Sequence, residues 1–176
     1  MIAAVRNRGA SAARGDRLAF TDADGQIHPG TFDAIDCALD GGSCVAGSTG
    51  VRLERLSFGL AITYAIMVPF VWITGMDTGV VFCRRVDFEA IGGYNESRAF
   101  AEDVQFLLDM KRLGRRRGQR LARLTSVKTI SSTRKFDRHG EWHYVSMLFR
   151  FGWWSLFAPR RMDEFAERYW YGKQRD

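Results

Sequence analysis

Two acidic pairs have the residue types and spacing to do chemistry. Asp22 and Asp24 stand one residue apart, directly after the short apolar run 17–21 (RLAFT). Two carboxylates placed like this at a strand end can face one hard cation. Oxygen ligands suit Mg2+ or Mn2+, which then bridges to phosphate oxygens. Asp and Gly also favour turns, so TDADG also reads as a plain polar turn. Glu102 and Asp103 open a helical stretch. Acidic side chains in a first helical turn are stabilised by the helix dipole. Beside a metal and phosphate site, the same carboxylate reads as a general base that takes a proton from an acceptor hydroxyl.

Three other groups carry less specific signals. The stretch 111–123 (KRLGRRRGQRLAR) has seven basic residues in thirteen and no acid. It reads as a solvated turn and strand edge, or as a surface for anionic lipid or nucleic acid. No aromatic is interleaved for base stacking, which speaks against single-stranded nucleic acid. Near the end, Trp142, Trp153 and Trp154 mix with Arg150, Arg160 and Arg161. Trp with Arg suits a membrane interface, and packing on the protein's own core accounts for the aromatics as well. His139 and His143 stand four apart, but Gly140 lies between them and no Glu takes a zincin's place, so they read as ordinary residues. Neither a P-loop nor a nucleophile elbow occurs.

The elements that must position these residues fit one ordinary domain. With 176 residues and 46% apolar side chains, the chain can build a real core, and wholesale disorder is excluded. The net charge is +6, and only four of the 26 basic residues are Lys. An Arg-rich basic protein favours phosphate-bearing partners. Cys37, Cys44 and Cys83 are odd in number and lack metal-ligand spacing, so they read as reduced thiols. The first residues contain no apolar run of the length a secretory signal needs.

Pattern and punctuation predict a helix over 1–14 ended by Gly15, then a buried strand over 17–21 that delivers TDADG. A helix from Pro29 to about Leu39 is stopped by Gly41-Gly42 and followed by a strand over 43–54. A strand over 78–84 leads to a short helix over 86–91, ended by Gly92-Gly93. A helix over 101–113 has Val104, Leu107, Leu108 and Leu113 at helical spacing and Gly114 at its C-cap. A last strand covers 124–130, and helices are expected either side of Pro159. Residues 56–76 carry no formal charge over 21 positions, long enough to span a bilayer but diluted by Gly59, Thr63, Pro69, Thr74 and Gly75. A buried or interfacial helix is the expectation there. Strands alternating with helices make an α/β domain.

The order of these signals resembles the family 2 glycosyltransferases. Members carry a helix of pattern A-R-N-x-G-x-x-x-A-x-G-D, a strand ending in D-x-D, and, after a gap, a strand with R-R, a short helix with G-G-[FY]-[DN]-E, and E-D opening a helix. Here those residues are Arg6, Asn7, Gly9, Ala13, Gly15 and Asp16; Asp22 and Asp24; Arg84 and Arg85; Gly92, Gly93, Tyr94, Asn95 and Glu96; Glu102 and Asp103. The resemblance covers about residues 4–135. It divides the chain into a transferase-domain part over 1–135 and a carboxyl-terminal aromatic and basic helical segment over 136–176.

The resemblance implies a GT-A fold, a three-layer α/β sandwich that transfers a sugar from a nucleotide-diphospho-sugar to an acceptor hydroxyl, saccharide or lipid-linked, with inversion. Asp22 and Asp24 would sit on the diphosphate, with Asp24 the direct ligand of Mg2+ or Mn2+. Asp103 would be the base, with Glu102 beside it, and Arg134 would lie near the diphosphate. A leaving diphosphate needs positive charge and an attacking hydroxyl needs a base, so the set is chemically coherent. If 56–76 crossed the membrane once, Asp24 and Asp103 would face opposite compartments and could not share a site. With the cysteines read as reduced, a cytoplasmic protein with peripheral contact to the cytoplasmic membrane face is expected, with no nucleic-acid partner. Relative to the family pattern, the chain lacks the part that holds the nucleotide base, so the resemblance implies a fragment or one part of a split enzyme, with an unpaired strand edge. The competing expectation is a non-catalytic remnant that binds a membrane or partner.

Overall fold

The computed structural model describes residues 2–55, 57, 61, 62, 65, 77, 79–97 and 102–133. Most of 56–76, Arg134 and the whole segment 136–176 lie outside the described residues. Helix α1 (Ile2–Ala12) leads to strand β1 (Arg17–Phe20), a two-residue strand β2 (Gly25–Gln26), helix α2 (Thr31–Asp40) and the long strand β3 (Cys44–Leu53). Strand β4 (Val81–Arg84) runs directly into the short helix α3 (Arg85–Ala90). Helix α4 (Glu102–Arg116) and strand β5 (Arg120–Ser131) complete the set.

The five strands form one mixed sheet in the order β1-β4-β3-β5-β2. β4 is antiparallel to both β1 and β3, while β3 and β5 are parallel, so β1, β3 and β5 run the same way. Their carboxyl ends share one end of the sheet, and β1 delivers Thr21 and Asp22 there. Central β3 is buried without interruption over its first seven residues. A strand covered on both faces reads as such a run rather than as an alternation.

Helices cover both faces. On one, Leu18, Phe20, Val45, Val81 and Cys83 pack against α1, α3 and α4 through Ala3, Ala10, Phe88, Phe106, Leu107 and Met110. On the other, Val80 and Phe82 meet Ile35 and Leu39 of α2. The alternation within residues 80–83 thus feeds both cores. The result is a layered α/β sheet as expected, with α2 the one helix on that second face among the described residues. Among the described residues β1 pairs only with β4 and lies at one edge of the sheet.

Several boundaries differ from the expected ones. Helix α2 starts at Thr31 rather than Pro29, because His28 holds the entry turn: its Nδ1 accepts from Gly30 N at 3.1 Å, and its carbonyl accepts from Thr31 N at 2.9 Å. Helix α4 passes straight through Gly114. A Cβ there would lie 2.8 Å from Val45 Cγ1 and 2.9 Å from the Gln119 carbonyl oxygen, so this glycine lets α4 close on β3. Gly118, at φ +67°, makes the turn that follows. The last strand begins at Arg120 rather than Leu124, so the end of the basic stretch lies in the strand.

Candidate functional site

Helix α1 places Ala3, Arg6, Asn7 and Ala10 at positions i, i+3, i+4 and i+7, on one face. Ala3 and Ala10 are buried, so Arg6 and Asn7 lie on the packed stripe between them. Asn7 acts as a clamp. Its side-chain amide donates to the Tyr94 carbonyl at 2.9 Å and to Glu96 Oε1 at 2.8 Å, and its Oδ1 accepts from Tyr94 N at 2.9 Å. The clamp fits because Gly93 has φ +74° and leaves no Cβ, which would lie 2.8 Å from Asn7 Oδ1.

Arg85 secures the other end of α1. Its guanidinium donates to the carbonyls of Ala10 (3.0 Å), Ala13 (2.8 Å) and Gly15 (2.9 Å). These are orphan acceptors of a helix terminus, and a cation there also complements the helix dipole. Arg84 does similar work for α2 and β3, donating to the carbonyls of Leu39 and Cys44. Both arginines of the R-R pair are thus structural.

With this frame in place, Arg6 meets three carboxylates. One arm bonds Asp22 Oδ1 at 2.9 Å; the other pairs with Asp103 Oδ1 and lies 3.6 Å from Glu102 Oε1. Residues from the end of β1 and the start of α4 therefore converge on one guanidinium that is only 11% exposed. The Arg6 Cζ also sits 5.3 Å from the centroid of the Tyr94 ring, within cation–π range. Tyr94 stacks on Phe106 at 4.3 Å and meets Phe20 edge-on at 5.1 Å, so the floor of the site is aromatic and dry.

The electrostatics follow from this burial. The Asp103 carboxyl is pushed up to about 6: burial raises it most, the charges of Glu102 and Asp22 add to that, and Arg6 only partly offsets them. Burial by itself would lower Arg6, but Asp103, Tyr94, Asp22 and Glu102 outweigh it, so the guanidinium is held above its usual range and stays charged. Burial, and then the charge of Asp103, drive the Tyr94 hydroxyl well above its usual range. That hydroxyl is close enough to feel Asp103, yet no hydrogen bond of ordinary geometry satisfies it among the described residues.

The structure brings together three of the five predicted site residues: Asp22, Glu102 and Asp103. Asp24 sits half-buried in the same turn as Asp22, with no ion-pair partner among the described residues. Arg134 lies outside them. The donor chemistry of Asp22 and Asp24 fits a hard divalent cation that takes one or two carboxylates and completes its shell with phosphate and water. No group of three or more His, Cys, Asp or Glu is gathered for a metal among the described residues. Arg6 and Tyr94 had no role assigned from sequence. The readable signal was a charged residue on the apolar stripe of α1. Beside the site, a groove of about 480 Å³ follows β1 between Ala10 of α1, the adjoining Ala13, and Phe32 and Ile35 of α2, reaching Arg6.

No family model matches the sequence, and no curated protein matches it either. Among the described residues, no helix is long and apolar enough to cross a membrane.

Proposed function

We propose that the protein is a glycosyltransferase of the family 2 kind, moving a sugar from a nucleotide-diphospho-sugar to an acceptor hydroxyl with inversion, on a GT-A-type sheet. One observation carries the reading: Asp22 and the Glu102-Asp103 pair, 80 positions apart in sequence, meet at Arg6. Strand end and helix start thus supply, side by side, the groups for a diphosphate and for an acceptor proton.

In this reading Asp103 takes the acceptor's proton as the hydroxyl oxygen forms its bond to the anomeric carbon. The bond from that carbon to the diphosphate oxygen breaks, and its electron pair leaves with the nucleoside diphosphate. A base poised near 6 is well matched to such a transfer at neutral pH. Asp24, with Asp22, would hold Mg2+ or Mn2+, which when bound offsets the negative charge of the leaving diphosphate. Glu102 keeps the Asp103 carboxylate basic through repulsion, and Arg134 is assigned to the diphosphate by the family pattern alone. A saccharide or lipid-linked acceptor, a cytoplasmic location and a peripheral membrane contact belong to the same proposal. All three cysteines are free, which accords with a reducing compartment.

The test is release of nucleoside diphosphate from a panel of UDP-, GDP- and dTDP-sugars with Mn2+ and mixed acceptors. The reading expects one donor class to be turned over by the wild type and not by Asp103→Asn. Equal turnover by the variant would refute the assignment of the base.

A further inference from the structure

We infer that Arg6 is a positioning residue that aims Asp103 and keeps it ionised, and that it couples Asp103 to Asp22 across helix α1. The role of Asp103 as a base rests on the transferase reading; the coupling itself does not.

The geometry makes Arg6 the only described cation that contacts this carboxylate cluster. The groups that face Asp103 come from every described element packed around it. They are Arg6 from α1, Asp22 from the end of β1, Tyr94 from the turn after α3, and Glu102 from its own helix. Two of these are acids, one is a buried phenol and one is a cation. Without Arg6, a carboxylate only 17% exposed would face like charges and an aromatic floor, with nothing to favour its ionised form. The guanidinium has the shape for the task. Its planar fork reaches Asp22 with one nitrogen and Asp103 with the other, a fixed spacing that the single nitrogen of an ammonium does not offer. The second arm has a consequence: Asp22 draws part of the guanidinium's charge away from Asp103. Whatever engages Asp22 from solvent, where it is 66% exposed, therefore tightens Arg6 on the base. The stem of Arg6 is fixed by α1, which Asn7 and Arg85 tie to the rest of the fold.

Carboxyl NMR of the full chain, labelled with 13C-aspartate, tests this without any substrate. The Asp103 signal is identified by its loss in Asp103→Asn. In Arg6→Gln the Asp103 titration midpoint should rise by at least one pH unit, a tenfold change in the ratio of ionised to protonated carboxyl at fixed pH. Arg6→Lys should rescue part of that rise. Asp22→Asn, an exposed change that does not threaten folding, should move the midpoint the other way, downward. An unmoved midpoint in a folded Arg6→Gln overturns the proposal. If that variant does not fold, Asp22→Asn decides: a downward shift supports the coupling and an unmoved midpoint overturns it. These shifts with no nucleotide binding would leave Arg6 coupled to Asp103 and sink the transferase reading alone.

Discussion

Two ends of the same sheet treat buried aspartate in opposite ways. At one end, Asp87 of α3 is 1% exposed and faces two arginines, Arg84 at 3.4 Å and Arg117. Arg84 goes on to the carbonyls of Leu39 and Cys44. One anion there joins β4, α3 and the end of α4, with more positive than negative charge. At the other end, one guanidinium serves three carboxylates. The first arrangement is a lock, because every charge is answered and nothing is left to react. The second is short of positive charge, with Glu102 and Asp103 mostly buried and Asp22 open to solvent, so it has room for a proton or a cation. Arg84 at one end and Arg6, Asp22, Glu102 and Asp103 at the other belong to the motif set, and the balance of charge is what distinguishes the two ends.

The contrast can be broken from either side. Asp103→Asn should cut sugar transfer by roughly 10²–10⁴-fold with unfolding in urea little changed, measured by nucleoside diphosphate release. Asp87→Ala should do the reverse, lowering stability by about 1–3 kcal/mol in urea titration, because it removes the buried anion that joins Arg84 to the exposed Arg117. A smaller effect separates the two aspartates by pH. The folded Asp103 carboxyl, at about 6, lies above the ordinary value near 3.9, so the folded state binds the extra proton between those limits. Stability contributed by that proton is present below about pH 4 and lost as pH rises through 6. The stability of Asp103→Asn relative to wild type should therefore climb by about 2 kcal/mol from pH 4 to pH 7. Smallest of all, Gly93→Ala should cost about 1–2 kcal/mol, since φ is positive there and the methyl meets Asn7 Oδ1.

Local features of this design were legible in the sequence. Gly92-Gly93 ended α3, and the apolar run before Asp22 was a strand, because turn chemistry and short-range pattern decide both. Gly114 misled because its role is a close approach to Val45, set by a strand some seventy positions earlier. The buried face of α4 centres on Phe106, Leu107 and Met110, and the expected Val104, Leu108 and Leu113 pack at its margins against the same core. Asp22, Glu102 and Asp103 were readable as candidates, but their meeting point was not. Arg6 becomes the centre only once Asn7 and Arg85 seat α1 against the loop before α4, and those are contacts over 75 to 87 positions.

In the proposed transferase this cation-poor end binds a nucleoside diphosphate through a metal. Calorimetric titration of the full chain with UDP and then GDP, each with Mn2+, tests it most directly, with Asp24→Asn in parallel. The account predicts metal-dependent binding of one nucleotide by the wild type and none by the variant. Binding that is unchanged in Asp24→Asn, or a folded wild type that binds neither nucleotide, would contradict it.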